Sequence, residues 1–428
     1  MKNVIETLQA RGFIDAMTSQ ELQKITSLPL KIYVGFDPTA DSLHLGNLVG
    51  IIALSWFQKF GHTPFVLLGG ATGRIGDPSG KSMERPLLDL EILDQNIASI
   101  RAFFEKILNP QEGPKPVILN NYDWFSQFSL IDFLRDIGKH FRVGSMIAKE
   151  SVKARLQSEE GISFTEFSYQ IFQAFDFYYL NQKYGVSIQM GGSDQWGNIT
   201  AGCELNRKLG GEPIYGFTFP LITRSDGKKF GKSEEGAIWL SAQKLSPYHF
   251  YQYLFSMPDA DVIRLLKMLT FLSLEEIESI ENEMKKKDAI PNFAQKKLAM
   301  EVTRFVHGEE GLQTALKVTE GILPGSSAKL DSQILENLSQ DMLCVHLKVD
   351  EVIGQKYVDM VVKIGLLGSK SEAVRLIKNG GAYLNNERIE DPLFIFSRTD
   401  LIDEKFMLLS AGKKKKILIR ISGYTETT

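Results

Sequence analysis

The sequence predicts an α/β fold: a parallel-sheet unit first, then an all-helical unit, then a small basic α/β module. Three observations predict it. Short apolar runs alternate with longer helical patterns from Leu30 to about Met190, the pattern turns helical after Pro247, and the residues from Glu351 onward are net basic. The chain of 428 residues carries 49 Lys plus Arg against 52 Asp plus Glu, a net charge of −3, with 43% hydrophobic and 24% charged residues. That is an ordinary globular composition. A chain of this length exceeds what one hydrophobic core organises, so two or three folded units are expected.

In chain order, Met1 to Gly12 holds Glu6 with Val4, Ile5 and Leu8 at helical spacing, unlike a signal or transit peptide. A cytoplasmic location is expected. Four apolar runs follow, Ile32 to Phe36, Pro64 to Leu68, Pro116 to Leu119 and Val186 to Met190, each read as a strand. In parallel sheets, ligands bind outside the carboxyl ends of the strands. The segments there are rich in Gly, Asp, Asn and Thr: Gly35 to Thr39, Gly69 to Gly73, Asn120 to Asp123 and Gly191 to Gln195. They have the composition a polar ligand cleft requires. Further on, Ser273 to Glu276 is a capping box, and a helical pattern from Pro291 to His307 ends at Gly308. Leu323 to Ser327 opens a linker. The tail from Glu351 has a net charge of +3 on a body of −6. Cys203 and Cys344 lack zinc or disulfide spacing, so a reducing compartment and no structural metal are expected. The most apolar stretch, Leu48 to Phe57, is too short to span a bilayer.

Two Gly-Lys-Ser tripeptides, at Gly80 and Gly231, invite a P-loop reading. Both fail it, because only three residues separate the paired glycines Gly76 and Gly80, and Gly227 and Gly231, where the motif needs four. The helix after the first strand is expected to begin near Asp41 to Asn47, with His44 and Asn47 on one face of its first turn, where the macrodipole favours anions. Gly46 between them costs about 1 kcal/mol of helix stability relative to Ala, consistent with a flat group approaching the backbone. Taken alone, a capped helix with a chance His and Gly accounts for the segment equally well. The loop from Lys228 to Ser233 gathers three lysines around Gly231, as a polyphosphate site or a solvated charge run does.

The two segments support each other. His44-Leu45-Gly46-Asn47 resembles the HIGH signature of class I aminoacyl-tRNA synthetases, and Lys229-Phe230-Gly231-Lys232-Ser233 the KMSKS signature, in the same order. Tyr33 to His44, Gly69 to Lys81 and Gly191 to Asn198 are similar to the bacterial-type tyrosyl-tRNA synthetases in particular, and the similarity covers essentially the whole chain. The resemblance implies a Rossmann-like catalytic domain over 1–246, a helical anticodon-side domain over 247–322, a linker over 323–350 and an S4-like RNA-binding domain over 351–428. It implies activation of L-tyrosine by ATP with Mg²⁺, transfer to tRNA(Tyr), and a homodimer without a membrane segment.

Position by position, the resemblance places Tyr33 and Asp176 on the phenolic hydroxyl of tyrosine, Asp77, Tyr169 and Gln173 on its ammonium group, and Gln195 near its carboxylate. Tyr169, Gln173 and Asp176 are spaced by four and three, so they share one helical face. For ATP it places Asp37, Gly191, Gly192 and Asp194 around the ribose and Gly46 under the adenine. Thr39 and His44 donate to the phosphates, Asn47 stands in place of the final His of HIGH and can still donate a hydrogen bond, and Lys81, Arg85, Lys229, Lys232 and Ser233 grip pyrophosphate. No protein cage for a metal is expected. Ser369 caps a helix that turns Arg375 and Lys378 outward, and an Asn-rich turn follows Leu384. With Lys413, Lys414, Lys415 and Lys416, these are the RNA-contacting candidates of the tail, and Arg207 and Lys208 are candidates for the acceptor stem. The rivals are a tryptophanyl-tRNA synthetase, disfavoured by the Tyr33 and Asp176 pairing, and a catalytically idle RNA-binding protein, disfavoured by His44, Lys81, Lys229 and Lys232.

Overall fold

A computed structural model describes residues 3–80, 83, 88–108, 111, 113–227, 230–233, 236–325, 330–339, 342–412 and 415–422. They form two compact units, one made of 1–244 with 254–306 and the other of 245–253 with 307–428. The segment 247–322, expected as a separate helical domain, is divided between them.

The first unit is built on six strands, β1 (Ala16–Met17), β2 (Lys31–Phe36), β3 (Thr63–Leu68), β4 (Val117–Asn120), β5 (Ile188–Gly192) and β6 (Tyr215–Phe219). Their order is β1-β6-β5-β2-β3-β4, parallel throughout except β1. The chain runs outward from β2 through β3 to β4, then returns to the other side of β2 for β5 and β6. β2 and β5 therefore flank a point where the strand order reverses, and a crevice opens there beyond their carboxyl ends. Both faces of the sheet are covered, which is why β3 reads as continuously apolar from Phe65 to Leu68. The helix Leu48–Lys59 is buried almost all round, through Leu48, Ile51, Ile52, Leu54 and Phe57. The helices Phe164–Tyr184 and Trp196–Lys208 pack against each other, with Gly202 leaving space for the Phe177 ring. Ser163 caps the longer one by accepting from the Glu166 N–H, and Gly185, at φ 70°, ends it.

The four expected strands are present. β6 is among the strands the sequence reading missed, because glycine interrupts its Tyr-Gly-Phe-Thr-Phe run. Gly216 is there for packing, since a Cβ would collide with Ile199. β1, two residues long, carries no periodic signal. Arg11 also gave no signal, yet it is buried and donates to the carbonyls of Lys267, Thr270 and Leu272, closing the end of the helix Asp259–Leu269. The Ser273 capping box forms as read. The helix read over 291–307 begins at Phe293 and ends at Gly308 as expected, where φ 74° and ψ 180° are non-helical, and a second helix follows to Gly321.

His62 shows how burial sets a charge state in this unit. It is 2% exposed, and its Nδ1 accepts the Leu30 N–H at 3.1 Å. Burial pushes the imidazole down to about 4. The unfolded chain takes up that proton near pH 6.5, whereas the folded one resists it. Stability from neutral His62 is therefore complete above pH 6.5 and is lost as pH falls towards 4, by at most about 1.4 kcal/mol per pH unit. Urea midpoints between pH 7 and 4.5 are expected to fall more gently in His62→Gln than in the parent protein.

The second unit holds β9 (Cys344–Lys348), β10 (Ala382–Leu384), β11 (Glu387–Arg388), β12 (Phe406–Ala411) and β13 (Lys415–Ser422), in the order β11-β10-β12-β13-β9. Only β13 with β9 is parallel. The remaining strands, β7 (Lys232–Ser233) and β8 (Gly236–Ala237), pair with each other in the first unit. One face of the five-stranded sheet packs on Tyr357, Met360, Ala373 and Ile377, the other on Val318, Ile322, Leu335 and Leu338. Ser369 caps helix Lys370–Lys378 as expected, and Asn385 and Asn386, at φ 48° and 71°, make the two-residue turn between β10 and β11. The expected linker 323–350 is not a linker throughout. It contains the helix Ser332–Ser339, and β9 joins the sheet ahead of Glu351.

Candidate active site

The loops after the strands converge on one cavity of about 560 Å³ at the β2/β5 switch point. Fourteen expected residues line it: Tyr33, Asp37, Thr39, His44, Gly46, Asn47, Asp77, Tyr169, Gln173, Asp176, Gly191, Gly192, Asp194 and Gln195. They come from strand ends, two loops and one helix face, so only the folded sheet brings them together.

At the deep end, Tyr33 projects from β2 and Asp176 from the helix Phe164–Tyr184, 1% and 2% exposed. The Tyr33 hydroxyl is buried and finds no hydrogen-bond partner among the described residues. Burial, with the Asp176 charge nearby, holds its proton well above the usual phenol range. Asp176 accepts from Trp124 Nε1 at 2.9 Å and Asn121 Nδ2 at 3.0 Å. Burial raises its carboxyl well above the ordinary range, and those two donors oppose the rise. Gln189, opposite Tyr33 in the sheet and in the cavity wall, also has no partner for its Oε1 among the described residues. A buried polar atom without a partner costs about 1–3 kcal/mol, so two of them in one cavity favour a polar ligand there.

Nearer the mouth, the expected ammonium ligands are already tied into the protein. Tyr169 donates to Asp37 Oδ2 at 2.8 Å, Gln195 Nε2 to Asp77 Oδ2 at 2.7 Å, and Asn198 Nδ2 to Gln173 Oε1 at 3.0 Å. Burial first, then the Asp37 charge, raises the Tyr169 hydroxyl well above its ordinary range. Asp37, expected at the ribose, also accepts from Thr72 Oγ1 at 2.7 Å. A Cβ on Gly191 would crowd Gln195 at 2.8 Å, and one on Gly192 would approach Asp194 Oδ1 at 2.5 Å. These glycines leave space beside the carboxylate and the amide.

The His44 segment is not the first turn of an α-helix, as expected. It caps a single 3-10 turn, Leu45–Asn47, that leads into the helix Leu48–Lys59. His44 Nδ1 accepts the Gly46 N–H at 3.0 Å, and Asn47 Oδ1 accepts the His44 N–H at 3.0 Å. A neutral ring that accepts at Nδ1 carries its proton on Nε2. The close neighbours of Gly46 are protein groups, the His44 ring at 2.9 Å from a Cβ placed there and Gly231, whose own Cβ would stand 3.1 Å from Gly46 N. Gly231, at φ 77°, belongs to the second lysine-rich motif. A strap holds the two motifs together: Ile238 N–H donates to Gly231 O at 2.9 Å and Leu45 N–H to Ile238 O at 2.7 Å.

Lys81, Arg85, Lys229, Lys413 and Lys414 lie outside the described residues, as does the Ser233 side chain. Lys232 is exposed on β7 and is not among the cavity-lining residues. Arg207 is exposed, and Lys208 donates to His140 O and pairs with Glu204, both at 2.7 Å. Arg375 and Lys378 are exposed on their helix, and Lys415 on its strand. Lys416 is half-buried, and burial pushes its ammonium down to about 8. Among the described residues, no group of three or more His, Cys, Asp or Glu is placed to hold a metal ion, and no helix is long and apolar enough to cross a membrane.

Sequence reasoning missed Thr72, Asn121, Trp124, Gln189 and Asn198. Thr72 and Asn121 sat within the polar segments already singled out after strands three and four, which was the available signal. Asn198 closed the Gly191 to Asn198 motif without being given a role, Gln189 lay inside an expected strand, and Trp124 gave no signal.

Residues 26–324 match the family described as tRNA synthetases class I (W and Y), and residues 335–419 the family described as Tyrosine–tRNA ligase SYY-like C-terminal domain. The chain is 56% identical over 422 residues to a tyrosine–tRNA ligase of Protochlamydia amoebophila, covering 98% of this chain and 99% of that one. It is 54% identical to a chloroplastic/mitochondrial tyrosine–tRNA ligase of Arabidopsis thaliana, covering 98% and 84%. Among solved structures, a C-terminally truncated Aspergillus nidulans mitochondrial tyrosyl-tRNA synthetase superposes with a TM-score of 0.65 at 32% identity, covering 74% of this chain and 92% of that one.

Proposed function

Since the chain belongs to the class I tRNA synthetases of the tryptophan and tyrosine family and ligates tyrosine to tRNA, we propose that one cavity seats L-tyrosine and ATP side by side. The phenol enters between Tyr33 and Asp176, filling the position where the Tyr33 hydroxyl has no partner among the described residues. The ammonium group meets Asp77, Tyr169 and Gln173, and the carboxylate lies by Gln195. The ribose lies against Asp37, Gly191, Gly192 and Asp194, and the adenine over Gly46. The triphosphate runs past Thr39, His44 and Asn47, and Lys81, Arg85, Lys229, Lys232 and Ser233 grip the pyrophosphate.

The tyrosine carboxylate is ionised at neutral pH, so its attack on the α-phosphorus needs no general base. The bond from that phosphorus to the bridging oxygen breaks, and pyrophosphate leaves with the added charge. Fixed donors such as the His44 Nε2–H stabilise that charge as it develops. A hydroxyl of the tRNA terminal adenosine then attacks the tyrosyl carbonyl, and AMP leaves. Asp77 and Asp176 already accept hydrogen bonds within the protein, so the donor set suits Mg²⁺ brought in on the phosphates.

The observation that carries this reading is the direction of one helix edge. Tyr169, Gln173 and Asp176 all face the cavity that His44 and Asn47 also line. Pyrophosphate exchange into ATP, run with each amino acid in turn, tests it. Exchange with tyrosine is expected, while exchange with tryptophan or none overturns it.

The catalytic role belongs to the sheet unit and an RNA-binding role to the basic tail through Arg375, Lys378 and the 413–416 lysines, with Arg207 and Lys208 at the acceptor stem. The enzyme works in the cytoplasm as a homodimer. Exposed apolar side chains concentrate between 128 and 164, with Leu130 and Ile131 each 71% and Phe164 77% exposed, and a second copy would cover them. Sedimentation equilibrium is expected to give twice the chain mass of 48.1 kDa, and Leu130→Asp to shift it towards one.

A further inference from the structure

The hydrogen bonds around Thr72 form one continuous chain across the cavity wall. Trp124 Nε1 and Asn121 Nδ2 donate to the two oxygens of Asp176 at 2.9 and 3.0 Å, and Asn121 Nδ2 also donates to Thr72 Oγ1 at 3.0 Å. Thr72 Oγ1 donates to Asp37 Oδ1 at 2.7 Å, and the Tyr169 hydroxyl donates to Asp37 Oδ2 at 2.8 Å. The protons are fixed by groups that have no choice. Asn121 Oδ1 accepts the Ala71 N–H at 2.7 Å, which turns its NH₂ towards Thr72. The Asp37 oxygen only accepts. Thr72 therefore accepts on one side and donates on the other, and it does so while 3% exposed, beside an Asn121 that is 1% exposed. Gly69 preserves the arrangement, because a Cβ there would collide with both Asp37 Oδ1 and Thr72 Oγ1.

Asp37 and Asp176 also act on each other. The Asp37 charge is one of the causes that raise the Asp176 carboxyl. Between the two carboxylates stand the Asn121 amide and the Thr72 hydroxyl, each turning a donor towards the acid beside it. Removing the Thr72 hydroxyl takes that donor from a part-buried Asp37 oxygen and frees one N–H of the buried Asn121, which costs most where the group left over is charged.

We propose that Thr72 is a positioning residue whose hydroxyl couples the phenol-reading end of the cavity to its nucleotide end, by holding Asn121 against Asp176 and Asp37 against Tyr169. This rests on the reading that Asp176 receives the phenol and Asp37 faces the ribose.

The test uses the full chain in pyrophosphate exchange, with Thr72→Val, Thr72→Ser and Asp176→Asn measured alongside the parent. Thr72→Val is expected to raise the KM for ATP and to lower the preference for tyrosine over phenylalanine, each by about tenfold. Thr72→Ser keeps the hydroxyl and should stay within about twofold on both. If Thr72→Val changes only one of the two parameters, or neither, the coupling is wrong. It is equally wrong if Thr72→Ser is as impaired as Thr72→Val, since the hydroxyl would then not be the working group. Should Thr72→Val not fold, Thr72→Ala makes the same comparison. Loss of preference in Asp176→Asn but not in Thr72→Val overturns the coupling and leaves the site reading standing. Preference kept in Asp176→Asn overturns the site reading and the coupling with it.

Discussion

Asp176→Asn is expected to lower kcat/KM for tyrosine by about 100-fold or more while changing that for phenylalanine little, so that most of the preference for tyrosine disappears. Asp176 accepts at both oxygens, from Trp124 and from Asn121. A carboxylate has lone pairs to spare after accepting two bonds, and a phenol can donate to one of them. An Asn side chain of the same shape has a single acceptor oxygen. Whichever way it turns, its NH₂ meets either the indole N–H or the Asn121 amide, donor against donor. The amide would spend its one oxygen on the protein, leaving the phenol proton poorly received. A hydrogen bond to a charged group contributes about 1.5–3 kcal/mol, and the clash adds to its loss. Phenylalanine has no hydroxyl to place and loses little. Tyr33→Phe should be milder, because it removes one neutral group that has no partner among the described residues. Amino-acid-dependent exchange kinetics for tyrosine and phenylalanine check both variants, and unchanged preference in Asp176→Asn would remove Asp176 from the recognition site.

How far the sequence discloses such a site depends on how local each part is. The polar edge of Tyr169, Gln173 and Asp176 was legible because helical periodicity alone aligns residues spaced by four and three. The glycine-rich and aspartate-rich segments after the strands were legible because a parallel sheet sends its ligands there. The supporting layer was much less so. Trp124 looks like an ordinary apolar residue in the chain, and only the fold shows its indole N–H reaching Asp176 across 52 positions. Gly46 was legible as a cavity residue, but its close approach to the His44 ring and to Gly231 was not. Two glycines from distant motifs approaching each other cannot be seen in one dimension. The boundaries failed for a related reason. β9 is short and its first residues are only half-buried, so it carries a weak pattern and becomes a strand because β13 is beside it.

His44→Ala should lower kcat for adenylate formation by about 10²–10³ and leave the KM for tyrosine nearly unchanged. The ring accepts the Gly46 N–H at Nδ1, so a neutral ring carries its proton on Nε2 in a cavity-lining side chain. A donor held in place before reaction needs no reorganisation when charge develops on the phosphate, so its loss falls mainly on the transition state. Two effects must be separated, because His44 is also the cap of the turn Leu45–Asn47. Losing a cap costs about 1 kcal/mol of stability, and the Asn47 bond to the His44 backbone N–H survives the substitution. His44→Asn can still accept the Gly46 N–H through its amide oxygen but has a shorter reach for its NH₂. It should therefore recover the thermal midpoint and only part of the rate. Equal rate recovery and stability recovery in His44→Asn would mean that the turn, and not the Nε2 donor, is what the reaction uses. Single-turnover formation of tyrosyl-adenylate, alongside a melting curve for each variant, distinguishes the two.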